Sequence, residues 1–425
     1  MNLVVEKSFA YLRSLGDMNK NIKLLFTSTA LNSISQGIFL VVFNLYILNM
    51  GITPDILGLI LSAGPYAQAL GSIPIGFLME IIGFKKVFLI IYLGAGLARI
   101  FQVVTPVVPL ILLAAFTGGL ALAGDFVVRL PFLAANADET QHNKVYSVSS
   151  ILMAICMAGG SLLGGFLPNL FIRFLEVDLT LAYRYTLLIA GLLSLAAVLP
   201  VIKVKDLPVA HKRKISLKPY LWGLDRFTIF QAIVSLFVGL GLGVVNPFMN
   251  IIFVYRLETT LEFFATISAL VLIPSLIVTS LGPLLAKAIG SVRSVTYMRS
   301  TAAASLVGLA ITSNPWLGAL YFWAVKSFTG GSQPLSFAFA MRAAKPKAKS
   351  AAAAWLNVTF WLGNGIAANL GGAFILQSNY KLLLFIGAGS VLAAGLLNEL
   401  FFHKHEQSLN RSQLVDERVT LSTGK

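Results

Sequence analysis

Gly76-Phe77-Leu78-Met79-Glu80-Ile81-Ile82-Gly83-Phe84-Lys85-Lys86 places one acid and two adjacent bases between apolar runs at 55–80 and 86–104. A helix crosses about 30 Å of hydrocarbon with about 20 largely apolar residues, and each run approaches or exceeds that length. The charged, glycine-bounded stretch therefore reads as a tight turn between two spanning helices. Lys and Arg gather in cytoplasmic loops, so Lys85 and Lys86 put this turn on the cytoplasmic side.

Working outward from the turn, apolar runs recur at 23–49, 107–135, 144–171, 183–202, 226–254, 262–286, 295–312, 315–341, 351–376 and 382–402. Together with the first two they make twelve spans, the pattern of an all-α integral membrane protein. The composition agrees: 57% of residues are hydrophobic and 12% charged, whereas soluble domains carry roughly 25% charged residues. An ordinary cytosolic enzyme is excluded. A net charge of +15 would suggest nucleic acid in a soluble chain, but the loops explain it otherwise. Only Arg173, Arg184, Arg256 and Lys381 fall opposite the termini, and Arg99, Arg129 and Lys326 lie inside spans. All other Lys and Arg lie on the side of the termini, so both termini are expected in the cytoplasm of a multi-pass protein of the cell membrane, with no nucleic-acid partner.

The chain divides into a retained N-terminal cytoplasmic segment (1–22), six spans (23–202), a linker (203–225), six more spans (226–402) and a cytoplasmic tail (403–425). The linker is rich in basic residues and holds Pro208 and Pro219, which suits contact with anionic lipid headgroups. Cys156 is the only cysteine, and His142, His211, His403 and His405 all fall in expected loops or the tail. No metal site or cofactor is expected. A nucleophilic constellation, a phosphate-cradling loop and room for a nucleotide-binding domain are all lacking, so enzymatic activity and ATP-driven pumping are not expected.

Four local matches relate the two sets of spans. Pro65 and Pro74 correspond to Pro274 and Pro283 at a displacement of 209, and Phe116-Thr117-Gly118-Gly119 recurs as Phe328-Thr329-Gly330-Gly331 at 212. Leu163-Gly164-Gly165 recurs as Leu370-Gly371-Gly372 at 207, and Asn44 corresponds to Asn250 at 206. Matches in one order at nearly one offset predict two parallel copies of a six-helix unit.

The stretch from Gly76 to Lys86, in this loop of this topology, resembles the Gly-x-x-x-Asp-x-x-Gly-x-basic-basic signature of the major facilitator superfamily, and the resemblance covers the whole chain. It implies two pseudo-symmetric six-helix halves, transport by alternating access, and a cytoplasmic latch made by Gly76, Glu80, Gly83, Lys85 and Lys86. Glu80 replaces the commoner Asp, and the second copy keeps Gly290 and Arg293 but has Lys287 where an acid is expected. The run from Ala158 to Pro168 resembles a loosened antiporter signature. The family's proton-linked arginine of helix 4 is missing, with Ala114 and Ala115 at its place, while Lys326 occupies the repeat-related position in the other half. Because helices 1, 4, 7 and 10 line the family's cavity, the resemblance favours Gln36, Asn246, Asn250, Lys326 and Gln333 as cavity residues.

Ionisable groups inside spans are costly and mark functional candidates. Asp125 and Arg129 lie four apart, acid first, on one helical face. They either neutralise each other so that the helix inserts, or form a coupling pair whose acid releases Arg129, and Arg99 competes for the same aspartate. Lys326 and Gln333, with Trp323 a turn earlier, and Asn357, Trp361 and Asn364 form polar and aromatic stripes that cannot comfortably face lipid. They line a central cavity or bond between helices. Three functions follow: proton-coupled efflux of a small amphipathic or apolar compound by a monomer; uptake or facilitated diffusion of a polar or anionic solute anchored by Lys326 and Arg129; or a lipid flippase or scaffold on the same fold. A lateral apolar opening would mark the flippase.

Overall fold

The computed structural model describes residues 18–205, 225–344 and 349–423, and among them the chain is helical throughout with no strand. Twelve helices run in order: α1 Lys20–Asn49, α2 Pro54–Ile82, α3 Phe84–Val104, α4 Val108–Ala135, α5 His142–Leu175, α6 Leu179–Ile202, α7 Arg226–Arg256, α8 Leu261–Ile289, α9 Ser291–Ile311, α10 Pro315–Ala343, α11 Lys349–Leu376 and α12 Tyr380–Thr423. Local chemistry sets several starts. Asn19, Asp178, Asp225, Thr260 and Asn314 each accept a backbone N–H of the first turn, which satisfies donors the helix itself cannot. Pro54 and Pro315 sit at the first helical position, where a missing N–H costs nothing.

Ten of the twelve helices are long and apolar enough to cross a membrane on their own. The other two are α9, which carries Arg293 and Arg299 among several Ser and Thr, and α10, which carries Lys326 and Gln333.

Helix packing shows the repeat in three dimensions. In the first half α1 packs on α5 and α6, α2 on α4, and α3 on α4 and α6; in the second half α7 packs on α11 and α12, α8 on α10, and α9 on α10 and α12. Adding six to each label of the first set gives the second. Two seams, α2 with α11 and α5 with α8, join the halves. The matched glycines build both: Gly165 backs onto Ala265 of α8, and its counterpart Gly372 backs onto Gly58 of α2, so closely that a Cβ at either place would overlap its neighbour. Small residues at such crossings let backbones approach in lipid.

Several expectations change. Arg299, assigned to a loop, lies inside α9 and is 4% exposed, so the spans hold one more cation than the sequence reading placed there. Arg293 likewise belongs to α9, Arg184 to α6 and Arg256 to the end of α7. His142 begins α5, and His403 and His405 lie on α12, which continues as helix through the expected tail to Thr423. Residues 1–17 and the linker from 206 to 224 lie outside the described residues.

Candidate functional site

A cavity of about 250 Å³ lies between the halves, walled by α1, α5, α7, α8 and α10. Of the expected cavity residues, Asn246, Asn250 and Lys326 line it, together with Ser268 and Ser275 of α8 and an apolar majority that includes Met157, Phe264 and Phe322. A wider apolar groove of about 450 Å³ runs along α5 between Ile34 and Leu170 and offers a solute no charge.

Helix α7 is irregular where it meets the cavity. Pro247 supplies no N–H, and the helix narrows to a 3₁₀ turn at Asn246–Phe248 and then widens to a π turn at Ile252–Arg256. Side chains finish what the backbone leaves open. Asn44 of α1 donates to the Pro247 carbonyl at 2.5 Å and to Asn250 Oδ1 at 2.9 Å, while Asn250 donates to the Val41 carbonyl at 3.0 Å. Each asparagine thus reaches the carbonyl three residues before its repeat-related partner. The result is a reciprocal clasp between the first helices of the two halves, toward the face opposite the termini. On that same side Asn169 of α5 donates to Glu262 of α8.

Lys326 projects from α10 with its ammonium 5.7 Å from the centre of the Phe322 ring. Among the described residues it has no carboxylate partner. Asn246 Oδ1 and Ser268 Oγ, also at the cavity, are shielded from solvent and accept or donate no hydrogen bond. Buried polar groups without partners are rare and call for an explanation. Trp323 lies beside rather than in this cluster: its indole donates to the Ile267 carbonyl at 2.7 Å and pins α10 to α8.

Asp125 and Arg129 form a buried ion pair of 3.5 Å on α4, with side-chain exposures of 7% and 8%. Tyr92 donates to Asp125 at 3.0 Å, and the Arg129 guanidinium also meets the Met153 sulfur. None of these residues lines the cavity. Arg99 is bound elsewhere, donating to Asn32 at 2.7 Å and to Ser35 at 2.9 Å with Phe39 beneath it. The polar stripe on α11 does not line the cavity. Asn357 accepts from Ser72 across the α2–α11 seam at 3.2 Å, Asn364 is buried against Gly243 of α7, and Trp361 stands edge-on to Phe360. Gln36 is half-buried and Gln333 exposed, and neither lines the cavity.

At the signature turn Gly83 has φ of +84° and its counterpart Gly290 +91°, a left-handed conformation that glycine adopts without penalty. Glu80, Lys85 and Lys86 form no ion pair among the described residues. The second copy lacks its own acid, but one arrives from α12: Glu406, 4% exposed, accepts from the N–H groups of Ser291 at 2.6 Å and Val292 at 3.1 Å and stands 3.9 Å from Arg342. Sequence reading missed this residue because it lies more than a hundred positions away.

Residues 25–344 match the model of the Major Facilitator Superfamily, and the chain belongs to that family. Among solved structures it is similar to the nucleoside transporter NupG, with a TM-score of 0.72 and 15% identity over 91% of this chain and 99% of the other. It is also similar to a bacterial homolog of the human lysosomal transporter Spinster in an inward-facing, occupied conformation, with a TM-score of 0.71 and 15% identity over 89% of this chain and 95% of that one. These likenesses concern the fold. No curated protein matches the sequence. The protein is thus a multi-pass membrane transporter of twelve helices in two pseudo-symmetric halves.

Proposed function

We propose that this protein moves a polar or anionic solute across the cell membrane by uptake or facilitated diffusion, its halves rocking about the central cavity while both termini stay in the cytoplasm. The observation that carries this reading is the Lys326 ammonium, set in the cavity wall without a counter-ion. A desolvated charge is expensive unless paired, and an anionic group of the solute supplies the pair. Arg129, the other cation considered for this role, is already matched by Asp125. The nucleoside specificity of NupG accords with a polar solute.

In this cycle the asparagine clasp closes the outer side, and Glu80, Lys85 and Lys86 engage when the cytoplasmic side closes. The test is solute exchange in proteoliposomes across a panel of organic anions, sugars, nucleosides and cationic dyes, for the wild type and Lys326→Ala. Loss of anion exchange in the variant supports the reading; exchange of cations or apolar dyes that ignores Lys326 overturns it.

A second reading, proton-coupled efflux of an amphipathic compound, draws support from the buried Tyr92–Asp125–Arg129 network, since Asp125 is the one buried carboxylate within the first half among the described residues. A pH dye inside the same proteoliposomes decides it. Solute-dependent proton flux abolished by Asp125→Asn supports coupling, and solute movement without proton movement in both proteins removes it.

A further inference from the structure

We infer that the solute is a small organic anion with a single negative charge at one end of an apolar body, its charged group held by Lys326 and Ser268. The inference rests on Lys326 as the solute anchor and adds the number of charges and the shape.

Charge number comes from the cavity wall. Lys326 is its only ionisable residue, so a second negative charge on the solute would stand uncompensated in a poorly hydrated space. An ammonium is a compact point charge with three donors, and Phe322 beneath it leaves its other faces open to a ligand. Two further groups supply directional contacts. Ser268 Oγ and Asn246 Oδ1 are buried at the same cavity with no partner, and the bond from Trp323 to the carbonyl of Ile267, next to Ser268, fixes α8 against the turn of α10 that bears Lys326. The Ser268 hydroxyl can donate to an anionic oxygen. The Asn246 carbonyl oxygen cannot, so it takes a donor such as a bridging water and does not itself hold the anion.

The remaining polar side chains of the wall are spent. Asn250 is engaged in the clasp, Ser161 bonds the Met157 carbonyl, and Ser275 meets Ser327. What is left to touch the rest of the solute is apolar, notably Leu40, Met157, Met249, Phe264 and Leu272. This is the wall for a hydrocarbon body; a sugar would leave its hydroxyls unpaired against it. Size follows from volume: about 250 Å³ is below the roughly 300–1,000 Å³ of pockets for drug-sized ligands.

Benzoate is a probe of this chemistry. The experiment measures counterflow of labelled benzoate into benzoate-loaded proteoliposomes, with benzyl alcohol, phthalate and acetate as competitors. They respectively remove the charge, add a second one, and remove the apolar body. Saturable benzoate exchange is expected, with each competitor at least about tenfold weaker than unlabelled benzoate, a difference of about 1.4 kcal/mol. Lys326→Gln should lose exchange, and Lys326→Arg should recover part of it, which separates lost charge from misfolding. Ser268→Ala should weaken benzoate severalfold without changing competition by benzyl alcohol.

If acetate or phthalate competes as well as benzoate and Lys326→Gln abolishes exchange, the anionic reading stands and the proposed class falls. If benzyl alcohol equals benzoate, or Lys326→Gln exchanges like the wild type, both fall. A wild type that exchanges none of the four overturns the class, and the wider panel then decides the anionic reading.

Discussion

The two halves share a helix plan and differ in how they treat charge. In the first half the deep carboxylate of Asp125 meets Arg129 at 3.5 Å and takes the Tyr92 hydroxyl, so that pair cancels, while Arg99 is left to the neutral oxygens of Asn32 and Ser35. In the second half Lys326 and Arg299 face no carboxylate among the described residues, and the buried acid, Glu406, sits at the end of α9 rather than in the bundle. Arg299 is handled by neutral acceptors, the Ala394 carbonyl at 3.2 Å and the Ser336 hydroxyl at 3.4 Å. Lys326 has only a ring and a cavity. The packing is thus symmetric, and Arg99 of α3 and Arg299 of α9 are treated alike; the halves differ in that the first holds the internal Asp125–Arg129 pair and the second sets Lys326 in the cavity wall without one.

The sharpest way to break this contrast is to unpair the first half. Arg129→Met leaves Asp125 buried alone and should lower stability by about 3–5 kcal/mol, read as a fall in the thermal unfolding midpoint in detergent. Asp125→Asn with Arg129→Met together should recover much of that loss. An equal loss in the double variant would show that the pair matters through packing and not charge.

In the second half, by contrast, Lys326→Ala should leave the unfolding midpoint level or higher, because it removes an uncompensated cation, while anion exchange drops at least about tenfold. The same cost to stability as Arg129→Met would erase the difference between the halves.

Between them stands the clasp. Asn44→Ala or Asn250→Ala should shift the population toward an open outer side by about 1 kcal/mol, since side-chain hydrogen bonds inside membranes contribute about 0.6 kcal/mol on average and up to about 1.7. Distances between spin labels at the outer ends of α1 and α7 would report it, and unchanged distributions in both variants would show that the clasp does not hold the gate. The smallest effect expected is at the borrowed cap. Glu406→Gln should cost about 0.5–1 kcal/mol of stability through lost charge at the start of α9, measured by the same thermal unfolding, with no change in anion exchange.

Much of the fold was legible because the bilayer demands it. Span length and the one-sided distribution of basic residues fixed twelve helices, and the repeat of Leu-Gly-Gly predicted two copies before the seams at Gly165 and Gly372 were visible. The site was legible in part. Lys326, Asn246 and Asn250 line the cavity between the halves, while Asn357, Trp361 and Asn364 lie outside its wall, Asn357 bonded to Ser72 of α2. A polar stripe on a helix announces only that it avoids lipid; whether it meets a cavity or another helix depends on rotation about the helix axis, which sequence spacing leaves open. Ser268 gave no signal because one hydroxyl among apolar neighbours is common in spanning helices. Arg299 was counted with the cytoplasmic loop although the expected span of 295–312 contains it, because it stands near the start of that span, and Glu406 was missed because its partner loop is distant in the chain.

The account turns on the claim that an anionic group pairs with Lys326 between the halves. Equilibrium binding of labelled benzoate to the purified protein, for the wild type, Lys326→Ala and Lys326→Arg, tests it without dependence on direction or driving ion. The account predicts saturable binding in the wild type, partial binding with arginine and none with alanine; equal binding by the wild type and the alanine variant would contradict it.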